Sequence, residues 1–90
     1  MNELHVVVSG KVQGVWFRAW TRDTAREMGV TGWVRNLADG NVEAAGQGEE
    51  KLLKHFLERL FDGPPLARVT HIDSTWRDAE SQYPDFEVRR

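Results

Sequence analysis

The chain has no cysteine. No disulfide can hold its fold, and thiol nucleophiles and cysteine-based zinc sites are excluded. It has no surplus of positive charge: 12 Lys and Arg stand against 14 Asp and Glu, a formal net charge of −2 at pH 7. A general binder of nucleic acid or of membrane surfaces would be basic, so no nucleic-acid or membrane partner is expected. A local basic pocket stays open. No apolar stretch is long enough to span a bilayer. The start, Met1-Asn2-Glu3-Leu4-His5, lacks a basic region, and the apolar run behind it is too short for a signal peptide. A cytoplasmic protein is the expectation. His5, His55 and His71 lie in separate segments without ligand spacing, so no metal site is expected. Repeats, linkers and low-complexity tracts are missing too.

What is present fits one small domain, residues 1–90. Hydrophobic residues at 40% suffice for one core, and charged residues at 29% give an ordinary surface. Leu4 to Ser9, with Val6-Val7-Val8 inside it, predicts a buried first strand. Gly10 to about Phe17 is a loop. From about Arg18 to Met28 the spacing of Phe17, Trp20, Thr21, Thr24, Ala25 and Met28 predicts an amphipathic helix, stopped by Gly29. Val30 to Leu37 is a second strand. The Asp39-Gly40 pair marks a tight hairpin turn into a third strand, Val42 to Gly46. A second helix opens near Glu49-Glu50, where acids suit the macrodipole. Its stripe is Leu52, Leu53, Phe56, Leu57, Leu60 and Phe61, and Gly63-Pro64-Pro65 ends it. Ala67 to Trp76 predicts a fourth strand. Val69 is out of phase with Ile72, Ser74 and Trp76, which signals a bulge or an early end. Arg77 to Gln82 reads as loop, and Phe86 with Val88 as a short last strand.

The order β-α-β-β-α-β is the split βαβ, ferredoxin-like arrangement of the α+β class. Right-handed crossovers place both helices on one face of an antiparallel sheet of order 4-1-3-2. The loop after the first strand and the late part of the second then share one end of the sheet. Arg18 and Asn36 are both at that end.

Between Gly10 and Arg18 lie two glycines, a short connection and one arginine at the mouth of a helix. Loop N–H groups and a helix N-terminus can together hold an anion. The same loop could be a plain strand-to-helix connection. It is no Walker A loop, since no Gly-Lys-Ser/Thr follows, and no dinucleotide fingerprint, since the third glycine is missing. An arginine in the first turn opposes the helix dipole, and a bound phosphoryl group would compensate it. Asn36 sits in a predicted strand, where Asn is disfavoured. It is either a strand end beside the turn or a carboxamide that orients a water or a substrate oxygen. Trp20 and Trp33 have the spacing of core or pocket wall. Two other classes of function fit the same fold order. An RNA-recognition-type module needs rings on the central strands, and Val6-Val7-Val8 and Val42-Glu43-Ala44-Ala45 offer none. A metal-carrier domain lacks its cysteines.

Val8-Ser9-Gly10-Lys11-Val12-Gln13-Gly14-Val15-Trp16-Phe17-Arg18 resembles the phosphate-loop signature of the acylphosphatases. Gly32-Trp33-Val34-Arg35-Asn36, with Asp39-Gly40-Asn41-Val42 and Gly48, resembles their second signature. Tyr83-Pro84-Asp85-Phe86-Glu87-Val88 is similar to their C-terminal strand, and no motif position departs. The small stand-alone form is expected, rather than the N-terminal domain of the larger hydrogenase-maturation proteins. The resemblance implies hydrolysis of the carboxyl-phosphate bond of acyl phosphates, with no metal, no cofactor and no covalent phosphoenzyme. It implies that Arg18 is the phosphate-binding catalytic arginine and that Asn36 positions the attacking water. The backbone of Gln13, Gly14, Val15, Trp16, Phe17 and Arg18 would form the phosphate cradle. A small-molecule acyl phosphate is the expected partner and a monomer the expected state. No second motif dictates one particular acid.

Overall fold

Alternating burial along the first strand sets the layers. In the computed structural model, which describes residues 1–90, Leu4, Val6 and Val8 are almost wholly buried, while His5, Val7 and Ser9 face the other way. This strand, β1 (Asn2–Lys11), is followed by α1 (Phe17–Met28), β2 (Thr31–Asn36), β3 (Val42–Gly48), α2 (Glu50–Asp62), β4 (Arg68–Asp78) and β5 (Phe86–Arg89). The five strands form one sheet in the order β4-β1-β3-β2-β5. The expected 4-1-3-2 order holds and those four strands are antiparallel. The tail strand extends the β2 edge and runs parallel to β2, with Gly32 opposite Phe86 and Val34 opposite Val88. The sheet is therefore mixed.

Both helices lie on one face. α1 packs on β2, β5 and α2, and α2 packs on β1, β3 and β4. Between the layers, Leu4, Val6, Val8, Phe17, Ala25, Val34, Val42, Ala44, Leu53, Phe56, Leu60 and Phe86 form one apolar cluster. Phe56 and Phe86 meet edge to face with ring centroids 6.0 Å apart, so β5 is held by the core as well as by its ladder. Burying such a ring contributes about 1.5–3 kcal/mol. Within the α2 stripe Leu53, Phe56 and Leu60 are buried and Leu52 and Leu57 flank them. Phe61 is half exposed instead, because it lies past the line of contact with the sheet.

Several expected strand ends move: β3 continues through Gln47 and Gly48, β2 is limited to Thr31–Asn36, β1 runs longer at both ends, and β4 runs on to Asp78. The β1–β4 ladder runs from Asn2 opposite Asp78 to Lys11 opposite Arg68, so both strands outlast their apolar patterns. The irregularity sensed at Val69 is a bulge. Ser9 faces His71 but Gly10 faces Val69, which leaves Thr70 as the extra residue. Gly10 has φ 124°, and a Cβ there would fall 2.1 Å from the Arg68 carbonyl oxygen, so only glycine fits the crossing. From β4 the chain returns to the far edge across the end of the sheet that lies away from the loop. Gln47 holds it there: its Nε2 donates to the Ser81 carbonyl at 2.6 Å and to Glu3 at 3.0 Å, and its Oε1 accepts from Tyr83 N–H at 3.0 Å. Gly32 N–H donates to the Asp85 carbonyl at 3.0 Å. No helix is long and apolar enough to cross a membrane.

Candidate active site

The loop from β1 to α1 is pinned from below and open from above. Val12, Val15 and Phe17 are buried in the core, and Phe17 packs against Trp20 with ring centroids 5.6 Å apart. Gly14 at φ 74° and Trp16 at φ 65° are left-handed on either side of Val15. Alternation of that kind curls successive N–H groups toward one side, making an anion-binding concavity. The N–H groups of Gln13, Gly14, Val15 and Trp16 donate to nothing in the protein, and the first hydrogen bond of α1 runs from Trp20 N–H to the Trp16 carbonyl at 2.9 Å. The N–H groups of Phe17 and Arg18 are therefore free as well. No side chain caps the helix and its first turn holds no acid.

Gln13 secures the loop sideways. Its Nε2 donates to the carbonyls of Leu37 and Asn41, both at 2.8 Å. Those two residues bracket the β2–β3 turn, where Leu37 N–H also donates to the Asn41 carbonyl at 2.8 Å and Asn41 N–H to Asp39 Oδ1 at 3.0 Å. One carboxamide thus clamps the loop to the turn that carries Asn36. With both its protons committed, the Gln13 side chain is structural, and only its backbone N–H points to ligand chemistry.

Above the loop lies an open cleft of about 900 Å³. Arg18 and Asn36 both line it, with Gly14, Trp16, Arg22 and Val88 among its other walls. Arg18 takes part in none of the ion pairs of the chain. Asn36 is the last residue of β2 and pairs with Val42 in the ladder. It shares the helix-facing side with Val34, and its Oδ1 is buried with no hydrogen-bond partner. An unmet buried acceptor costs about 1–3 kcal/mol, a cost that a water or ligand in the cleft would remove. The cleft is lined by arginines and by no acidic side chain, in a chain of net charge −2.

Arg22, Ala19, Val88 and Arg90 also line the cleft and were not singled out from the sequence. Arg22 carried a signal, since it follows Arg18 by one helical turn and shares its face. Val88 and Arg90 carried one only once β5 is known to run parallel to β2. Gln13 and Val15 are not cleft walls; their contribution is confined to the backbone and to anchoring the loop.

Trp20 sits where its spacing suggested, against the core. Trp33 does not wall the cleft. It lies on the helix-free face, covered by the guanidinium groups of Arg35 and Arg89 at 5.4 and 5.1 Å from the ring centroid. Beside it, Glu43 accepts from Arg35 at 2.6 Å and lies 2.7 Å from His5 Nε2. Burial alone would raise the Glu43 pKa, but these hydrogen bonds and charges together hold it below its ordinary value. No three His, Asp or Glu side chains converge as metal ligands would.

A family model described as Acylphosphatase matches residues 4–88. An acylphosphatase of Pelotomaculum thermopropionicum is 44% identical over 84 residues, which is 93% of this chain and 91% of that protein. The crystal structure of acylphosphatase from Bacillus subtilis superposes with a TM-score of 0.96 at 33% identity, covering 100% of both chains. The structure of an acylphosphatase from Coxiella burnetii gives a TM-score of 0.91 at 45% identity, over 97% of this chain and 90% of that one.

Proposed function

Because the chain belongs to the acylphosphatase family, whose members hydrolyse acyl phosphates, we propose that Arg18 and the loop amides bind the phosphoryl group and that Asn36 orients the attacking water. The observation that carries this is one cleft holding an arginine with no internal partner, a curl of free N–H groups and the unmet Asn36 Oδ1. The reaction is cleavage of the bond between a carboxyl oxygen and phosphorus.

The chemistry suits so sparse a site. The leaving carboxylate has a conjugate acid of pKa about 4, by analogy with Asp and Glu, so it departs without a proton and needs no general acid. Phosphoryl transfer through a loose transition state needs mainly positioning and charge stabilisation. Arg18 and the amides of Gln13 to Arg18 supply charge complementarity to the non-bridging oxygens, preorganised because Gln13 fixes the loop. Asn36 Oδ1 accepts a hydrogen bond from the water and turns its lone pair toward phosphorus; that hydrogen stays on the oxygen that becomes the new P–OH. A non-bridging phosphate oxygen takes the remaining proton, so no enzyme base is used. Less activated alkyl phosphates are turned over poorly. The scheme is that of a monomer using no metal, and chelation tests the second point.

Hydrolysis of acetyl phosphate in EDTA, with Arg18→Gln and Asn36→Ala alongside, tests the assignment. Each variant is expected to lose about 10²–10³ in kcat with an unchanged circular-dichroism spectrum. Full activity in either variant removes its residue from the role, and loss of wild-type activity on chelation removes the metal-free scheme.

A further inference from the structure

Trp16 is unusual twice over. It is the only residue other than glycine with a positive φ, at 65°, and its side chain is 79% exposed. The cradle explains the backbone conformation. It does not explain the indole, since glycine would adopt the same φ without strain. Folding does not explain it either. Trp33 is covered by two guanidinium groups and Trp20 lies against Phe17, but the Trp16 ring has no aromatic, cationic or hydrogen-bond partner within the chain. A large apolar ring is thus held in water at a dihedral that disfavours it.

Its position supplies the missing reason. Trp16 lines the same cleft as Arg18 and Asn36, and Val88, itself 36% exposed, lines it too. A phosphoryl group seated on the loop amides and Arg18 occupies the polar floor. The acyl group bonded to it must leave along the walls, and the exposed apolar walls are the indole and Val88. We propose that Trp16 is the specificity-determining residue for the acyl group, stacking on aromatic and broad apolar acyl chains and favouring them over small ones. This rests on the phosphoryl-binding assignment above. It adds a preference where the sequence held no second specificity motif.

The test compares benzoyl phosphate with acetyl phosphate in the wild type, Trp16→Ala and Trp16→Phe. The ratio of their kcat/KM values is expected to fall about tenfold in Trp16→Ala, through the KM of benzoyl phosphate, as loss of an aromatic contact requires. In Trp16→Phe, where a ring remains, the ratio stays within about twofold. A distorted cradle would weaken both substrates alike, so an equal loss overturns the role of Trp16, as does an unchanged ratio in Trp16→Ala. Absence of acetyl phosphate hydrolysis in the wild type would overturn the assigned reaction instead.

Discussion

The two helices are near twins that begin in opposite ways. α1 has 12 residues and α2 has 13; both lie on one face of the sheet. Both end at a glycine with positive φ. α1 stops at Gly29 in the left-handed region, with Arg26 in its last turn, and α2 stops at Gly63 with Arg59 in its last turn. Their starts differ. α2 begins behind Glu49 in extended backbone and carries Glu50 in its first turn, with Lys54 one turn on at 3.7 Å from it. Its acids face the positive end of the dipole, as helix energetics favour. α1 begins behind a left-handed tryptophan, with an arginine where an acid belongs and a run of N–H groups left free. Neither start has a side-chain cap, but only that of α1 sets an arginine, with no acid, against the positive end of the dipole. The start of α1 faces the cleft, where the proposed phosphoryl site would offset the misplaced arginine.

Making the two starts alike should have the largest effect. Arg18→Glu gives α1 the acidic first turn of α2. Its kcat/KM for acetyl phosphate is expected to fall by about 10³, while urea unfolding shows it more stable by about 0.3–1 kcal/mol. Activity and stability moving in the same direction would break the comparison. Next comes the clamp. Gln13→Ala frees the Leu37 and Asn41 carbonyls, and is expected to cost about 1–3 kcal/mol in denaturant melts and about tenfold in kcat, since loosened donors stabilise charge less well. The smallest effect lies at α2. Glu50→Gln is expected to lose about 0.3–1 kcal/mol and leave kcat/KM within about twofold. A larger loss of activity there would show that α2 contributes to the site after all.

Much of this was legible in the residues and some was not, for definite reasons. Element types follow from periodicity, and the topology follows from their order, because handed crossovers leave few choices. Arg18 and Asn36 could be placed at one end of the sheet on that basis alone. Strand ends could not be read: β1 and β4 continue through Gly10, Arg77 and Asp78, where the ladder and the Glu3–Arg77 ion pair hold polar residues in place. The role of the Gln13 side chain was hidden because it depends on two carbonyls some 24 and 28 residues away. The left-handed Trp16 ran against every local preference. Trp33 is buried, as its strand phase predicts, but under Arg35 and Arg89 on the helix-free face, a cover that phase alone cannot reveal.

The placement of β5 has a consequence for how the protein comes to be active. Its residue Val88 walls the cleft whose floor is made by residues 12–18. A growing chain holds Arg18 and Asn36 long before it holds that wall. The pairings that finish the sheet, Asn2 with Asp78 and Gly32 with Phe86, join segments distant in sequence, and such closures slow folding relative to local contacts. The loop is therefore synthesised first and this wall last, and the cleft is complete only once β5 has joined the sheet.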